Sequence, residues 1–334
     1  MKSVYKIPQE ALHALFTALH ADMPLYLPTR QVGGTDFAPW TGHADAVDLL
    51  TLKTLRSPKQ FFLPAVEELY RVNAAYDVTP APVPKNAFIL FGVRGCDAAA
   101  LLLLDRVFLH EPIDATYQAR RNAARVITLA CEAPDPTCFC AAFDIDAAAP
   151  EGDVRTWLAS DALYWQPLTE KGVSLTEKMR PHLTPIRKAP KKREDKNAAT
   201  QIIKNFAPVP AHFDSSVWED AHRTCLACGT CTFLCPTCHC YDLAHEETPC
   251  GGGTCQRWWD VCLSPTFTQM AHGNPRPTKK ERFRQRYMHK LVYFHQNHGK
   301  LGCVGCGRCV TNCPARINIV GVAQALTRAR GGNA

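Results

Sequence analysis

The chain has 334 residues, a net charge of +7, and 46% hydrophobic against 21% charged residues. This suits a globular protein with room for two ordinary domains. No run reaches the ~18 apolar residues that suggest a membrane span, so no membrane partner is expected. The seventeen cysteines are an odd count in a long chain, whereas a secreted disulfide scaffold would be short and usually even. Residues 1–16 hold no apolar signal core, and the chain reads as cytoplasmic.

In chain order, Leu12, Leu15, Phe16 and Leu19 recur at helical spacing and predict a core-facing helix over 8–20. Residues 24–64 are mixed, and the proline-rich 78–85 reads as a loop. Phe88–Val93 is an apolar run of buried-strand type, followed by a helix to about Phe108 that Asp97 is placed to cap. A second buried strand is expected over Arg125–Cys131, a strand pair over 154–168, and a short helix over 173–180. These predict an α/β domain at 1–184. The charged, proline-bearing 185–214 reads as a basic linker. Helices are expected near Val217, over Lys279–His298 and over Ala315–Arg330, with no strand signal near the cysteine runs. Residues 215–334 therefore predict an α-helical ferredoxin-type domain.

Two runs carry the chemistry. One holds Cys225, Cys228, Cys231 and Cys235 before Pro236; the other holds Cys303, Cys306, Cys309 and Cys313 before Pro314. Both are C-x2-C-x2-C-x3-C-P, the spacing of two-cluster ferredoxins, in which the fourth cysteine ligates the other cluster. The expected ligand sets are Cys225, Cys228, Cys231 and Cys313 for one [4Fe–4S] cluster, and Cys303, Cys306, Cys309 and Cys235 for its neighbour. Gly229, Gly305 and Gly307 allow the backbone to approach the inorganic core. A zinc ribbon would show paired C-x2-C dyads instead.

Of the remaining cysteines, Cys131 fits a buried small hydrophobe at a strand end. The pairs Cys138/Cys140 and Cys238/Cys240 fit that reading less well. The sharper alternative is a third iron–sulfur site of Cys238, Cys240 and Cys262, completed by Cys96, Cys131, Cys138 or Cys140. Cys250 and Cys255 flank a glycine loop and read as adventitious.

No G-x-G-x-x-G follows a strand and no phosphate loop is present. Without a hydride acceptor the chain must exchange electrons with other subunits. The basic stretch Lys279–Lys290 is read as docking an acidic partner or offsetting cluster charge. The alternative is a nucleic-acid-binding iron–sulfur or zinc protein, and no nucleic-acid partner is expected.

The sequence resembles a family of iron–sulfur electron-transfer subunits that includes the ferredoxin-like subunit of anaerobic sulfite reductase and the sulfhydrogenase beta subunit. The resemblance rests on Phe91-Gly-Val-Arg-Gly-Cys96-Asp97, Thr137-Cys-Phe-Cys140, Cys225 through Tyr241, Arg257-Trp-Trp-Asp-Val-Cys262, Arg284 through Lys290, and Cys303 through Pro314. Two departures are Ala141-Ala142-Phe143 after Cys140 and Gly95 before Cys96. The resemblance implies a non-catalytic relay in a hetero-oligomeric reductase. A flavin subunit would oxidise NAD(P)H, and a sirohaem or nickel–iron subunit would carry out the terminal reaction. The Cys235–Tyr241 and Arg257–Cys262 blocks favour sulfite reduction to sulfide, with sulfhydrogenase chemistry the alternative.

Overall fold

The computed structural model describes residues 3–186, 198–249 and 251–331. Twelve strands follow in order: β1 (Val4–Pro8), β2 (Leu25–Gln31), β3 (Gly34–Pro39), β4 (Val66–Val72), β5 (Val78–Pro80), β6 (Phe88–Arg94), β7 (Ala124–Leu129), β8 (Val154–Leu158), β9 (Ala162–Pro167), β10 (Thr184–Ile186), β11 (Tyr241–Glu247) and β12 (Gly253–Trp259). The chain divides into two compact units, both discontinuous in sequence. One comprises Met1–Pro58, Lys85–Thr200 and Val304–Cys306; the other comprises Lys59–Pro84, Gln201–Cys303 and Gly307–Ala334. Of the expected linker, residues 187–197 lie outside the described residues, as does Cys250.

The first unit is built on an eight-stranded mixed sheet of order β10-β1-β9-β8-β7-β6-β2-β3. Its centre is parallel: β6 pairs with β2 and β7, and β7 pairs with β8. Six of the seven β6 residues are buried, which is why it reads as a continuous apolar run rather than an alternating one. On the helix Leu12–Asp22, Leu15, Phe16 and Leu19 are buried and join Leu175 and Met179 over the sheet. Burial of each large apolar side chain contributes about 1.5–3 kcal/mol. The helix Gly95–Phe108 starts directly after β6. Asp97 is not its N-cap residue. The chain turns helical at Gly95, so Arg94 holds the N-cap position without a side-chain cap bond and Asp97 sits buried within the first turn.

The second unit combines helices with a four-stranded antiparallel sheet of order β11-β12-β4-β5. This corrects the wholly helical expectation for 215–334. β11 begins immediately after Cys240, and β12 ends three residues before Cys262. β5 likewise occupies part of the stretch read as a loop, with Pro80 at its end, as suits an edge strand. A buried ion pair between Arg257 and Glu67 ties β12 to β4. The basic stretch forms one rod: an α-helix Lys279–Met288, a π-helical turn His289–Tyr293, and a further α-turn Phe294–His298. Thr278 and Glu281 form a reciprocal capping box at its start.

Candidate metal centres

The two cysteine runs trace the same backbone path. In the first, Ala227 and Gly229 have φ of 54° and 76°; in the second, Gly305 and Gly307 have φ of 62° and 77°. Each run then enters a short helix, Thr230–Phe233 or Arg308–Thr311, capped by the left-handed Gly229 or Gly307. The third cysteine of each run sits in that turn. Ala227 holds its left-handed position at a cost of ~1 kcal/mol, because its Cβ crowds the following carbonyl.

Within the second unit, Cys225, Cys228, Cys231, Cys309 and Cys313 line a single cleft, so the last two cysteines of the second run come to the first three of the other. Backbone N–H groups already point at these sulfurs: Ala227 N to Cys225 Sγ at 3.4 Å and Ile317 N to Cys313 Sγ at 3.3 Å. Hydrogen bonding to Thr230 lowers the Cys228 thiol pKa, whereas burial raises that of Cys225. Such donors stabilise thiolate and cluster charge. Cys235 lies close enough to Cys309 for their charges to interact, as crossed ligation requires.

Three cations are buried around these thiols. Lys290 Nζ donates to Thr237 Oγ1 at 2.8 Å and Gly302 O at 3.0 Å. Lys59 Nζ donates to Cys238 O at 2.9 Å and Cys235 O at 3.2 Å, and lies 4.0 Å from the centre of the Trp259 ring. Arg286 donates to Cys231 O at 3.2 Å, and its buried Nε has no acceptor among the described residues. All of these partners are neutral. A buried charge needs an opposite charge, and the acidic groups facing these cations are thiols. Burial works against the charge of Lys290, but Cys235, Cys238 and Cys303 outweigh it and raise its pKa. At Lys59 burial wins and the pKa falls, although Cys238 and Cys235 pull the other way. The neighbouring positive charge of Lys290 also lowers the pKa of Lys59. A thiolate-ligated cluster would supply the missing anion and an acceptor for Arg286 Nε, so these residues fit the group.

His239 and His289 meet edge to face at 5.5 Å. Burial first, and Lys290 among the nearby charges, push them down to about 4 and about 3, so both are neutral. Cys240 and Cys262 are hydrogen-bonded to one another, as are Cys238 and Cys235. Cys238, Cys240 and Cys262 thus come together in the second unit, whereas Cys96, Cys131, Cys138 and Cys140 fall in the first. Among the described residues, no three Cys, His, Asp or Glu side chains converge on a point that would hold a single metal ion.

Sequence reasoning misses Lys59 and Thr237. Lys59 is separated from Cys235 by 176 positions. Its one local signal is a lysine beside the apolar Phe61-Phe62-Leu63. The basic stretch is plain in the sequence, but its burial is not: Arg282, Arg286 and Lys290 all point inward.

Residues 224–317 match the family model of the 4Fe-4S dicluster domain. Over its length the chain is 31% identical to the sulfhydrogenase 2 subunit beta of Pyrococcus furiosus, covering 95% of this chain and 96% of that protein. The chain belongs to the sulfhydrogenase beta-subunit family. No solved structure matches it. Among the described residues, no helix is long and apolar enough to cross a membrane.

Proposed function

We propose that this chain is the electron-relay component of a hetero-oligomeric cytoplasmic oxidoreductase, with two [4Fe–4S] clusters held by crossed ligation. Cys225, Cys228, Cys231 and Cys313 hold one; Cys303, Cys306, Cys309 and Cys235 hold the other. The observation that carries this reading is the convergence of Cys313 with the first run, beside buried cations whose partners are neutral. Each cluster supplies one-electron chemistry. The protein's own part is to hold the thiolates, balance their charge through Lys59, Arg286 and Lys290, and aim backbone N–H groups at sulfur.

The partners are a flavin subunit that oxidises NAD(P)H and a terminal catalytic subunit. The whole-chain likeness to a sulfhydrogenase subunit favours nickel–iron hydrogen chemistry. The Cys235–Tyr241 and Arg257–Cys262 blocks support sulfite reduction as the second reading. The test is anaerobic purification of the tagged chain with its native partners. Nickel with hydrogen-dependent dye reduction supports the first, and sirohaem absorbance with sulfite-dependent oxidation of reduced dye the second. A chain that binds no iron and copurifies with no flavin subunit would defeat the relay itself.

A further inference from the structure

The first unit carries a cysteine set that the two runs do not use. Cys96, Cys131, Cys138 and Cys140 line one cavity of ≈ 560 Å³, together with Arg94, Ile145 and Cys306 of the second run. The fold brings them there from three places. Cys96 is the second residue of the helix that follows β6, and Cys131 lies just past the end of β7, the parallel neighbour of β6. Cys138 and Cys140 come from the loop that continues after Cys131. All four therefore gather beyond the carboxyl ends of two adjacent parallel strands, where open α/β sheets form their ligand sites.

The loop is fixed rather than draped. Cys131 N donates to Ala147 O at 2.8 Å, Cys138 N to Asp135 O at 2.8 Å, and Phe139 N to Gly305 O at 2.8 Å. Lys53 bridges to Asp135 at 2.5 Å and also bonds Thr137. A Cβ on Gly305 would lie 2.5 Å from the Phe139 carbonyl, so only glycine lets the loop seat here. Arg94 is buried at the cavity wall, donates to the carbonyls of Ala130, Leu49 and Thr51, and hydrogen-bonds Cys131. It sets a positive charge beside the thiols.

Cysteines acting as buried hydrophobes pack against neighbours, because protein interiors leave few voids larger than a water. These four line the cavity instead, although Cys96 also packs against the apolar cluster of Ala100, Val304 and Cys306. A structural zinc would need its four sulfurs about 2.3 Å from one point, and no described trio converges in that way. A cluster spreads its ligands around a core of several atoms. We propose that Cys96, Cys131, Cys138 and Cys140 hold an additional [4Fe–4S] cluster within the first unit, with a ligand set of its own that requires neither Cys238, Cys240 nor Cys262. The proposal adds to the relay reading without depending on it.

The test uses the full chain, reconstituted anaerobically, with iron and acid-labile sulfide counted and Mössbauer spectra recorded. Cys138→Ser/Cys140→Ser and, on a separate element, Cys96→Ser should each lose about four irons and four sulfides relative to the unaltered chain. Cys228→Ser should lose a different set, additive with the first; iron retained in Cys228→Ser alone would count against the dicluster assignment and leave this site standing. A second measurement avoids any folding defect in the variants. In the unaltered iron-loaded protein all four thiols should resist alkylation and become reactive together on chelation. Unchanged iron in folded variants, loss of one zinc in place of iron, or alkylation of any of the four while iron stays bound would overturn the proposal.

Discussion

Lys290 offers the sharpest test of the charge balance around the proposed cluster pair. Its Nζ is 2.8 Å from Thr237 Oγ1, which is 3.2 Å from Cys235 Sγ. Placed end to end, those two bonds put the ammonium within about 6 Å of the sulfur, where a unit charge in an effective dielectric of ~20 is worth about 2.8 kcal/mol. For a one-electron couple this corresponds to ~120 mV. Lys290→Met keeps the length of the side chain and removes the charge, and Thr237 retains its own bond to Gly302 O at 2.8 Å. Reduction adds an electron to the cluster, so losing a nearby cation disfavours it. We expect the midpoint potential of one cluster to fall by ~100 mV while the other moves less, because screened charge effects decay with distance. Redox titration followed by electron paramagnetic resonance reads both. A variant with full iron content and both potentials within ~20 mV of the unaltered protein would refute the reasoning.

Three further outcomes follow from the geometry. Gly305→Ala forces a Cβ against the Phe139 carbonyl at a φ of 62°, and should cost at least ~2 kcal/mol, seen as a lower denaturation midpoint; an unchanged midpoint would mean the loop can step aside. Ala227→Gly relieves the left-handed strain at the matching position of the first run and should be stabilising or neutral, in contrast to Gly305→Ala; a loss similar to that of Gly305→Ala would show that the two positions are not equivalent. His212 is held below the ordinary imidazole range by burial, while its Nε2–H bonds Ala207 O. Above pH ~6.5 it is neutral folded or unfolded; as pH falls, the unfolded chain takes the proton first, so stability should drop on acidification. Urea midpoints at two pH values, less separated in His212→Gln than in the parent, would check this, and a midpoint rising on acidification would contradict it.

What is legible in the sequence follows from how local each cause is. Cluster ligation constrains spacing within a dozen residues, so both runs announce themselves. The buried parallel strands β6 and β7 are readable because burial on both faces demands apolar runs. The hairpin of β11 and β12 is not. Six of the seven β11 residues are exposed, so no alternation marks it, and the turn glycines Gly251 and Gly252 are its visible signal. Lys59, Thr237 and Arg286 owe their roles to contacts made across long stretches of chain, and a lysine destined for burial looks like any other. The same holds for the cavity of Cys96, Cys131, Cys138 and Cys140: the residues are visible, but their convergence depends on strand order.

The π-helical turn at His289–Tyr293 bears on how this protein tolerates change. A single extra residue in a helix shifts everything beyond it by about 100° around the axis. Lys290 lies within that turn, and its carbonyl accepts from Gly302 N at 2.7 Å, one residue before Cys303. The turn thus sets the rotational phase at which the rod hands the chain on to the second cysteine run. Substitutions along the rod's outer face leave that phase alone. A one-residue deletion inside the turn would leave composition and charge nearly untouched while turning Phe294 away from its buried contacts. In this segment, length is under tighter constraint than identity.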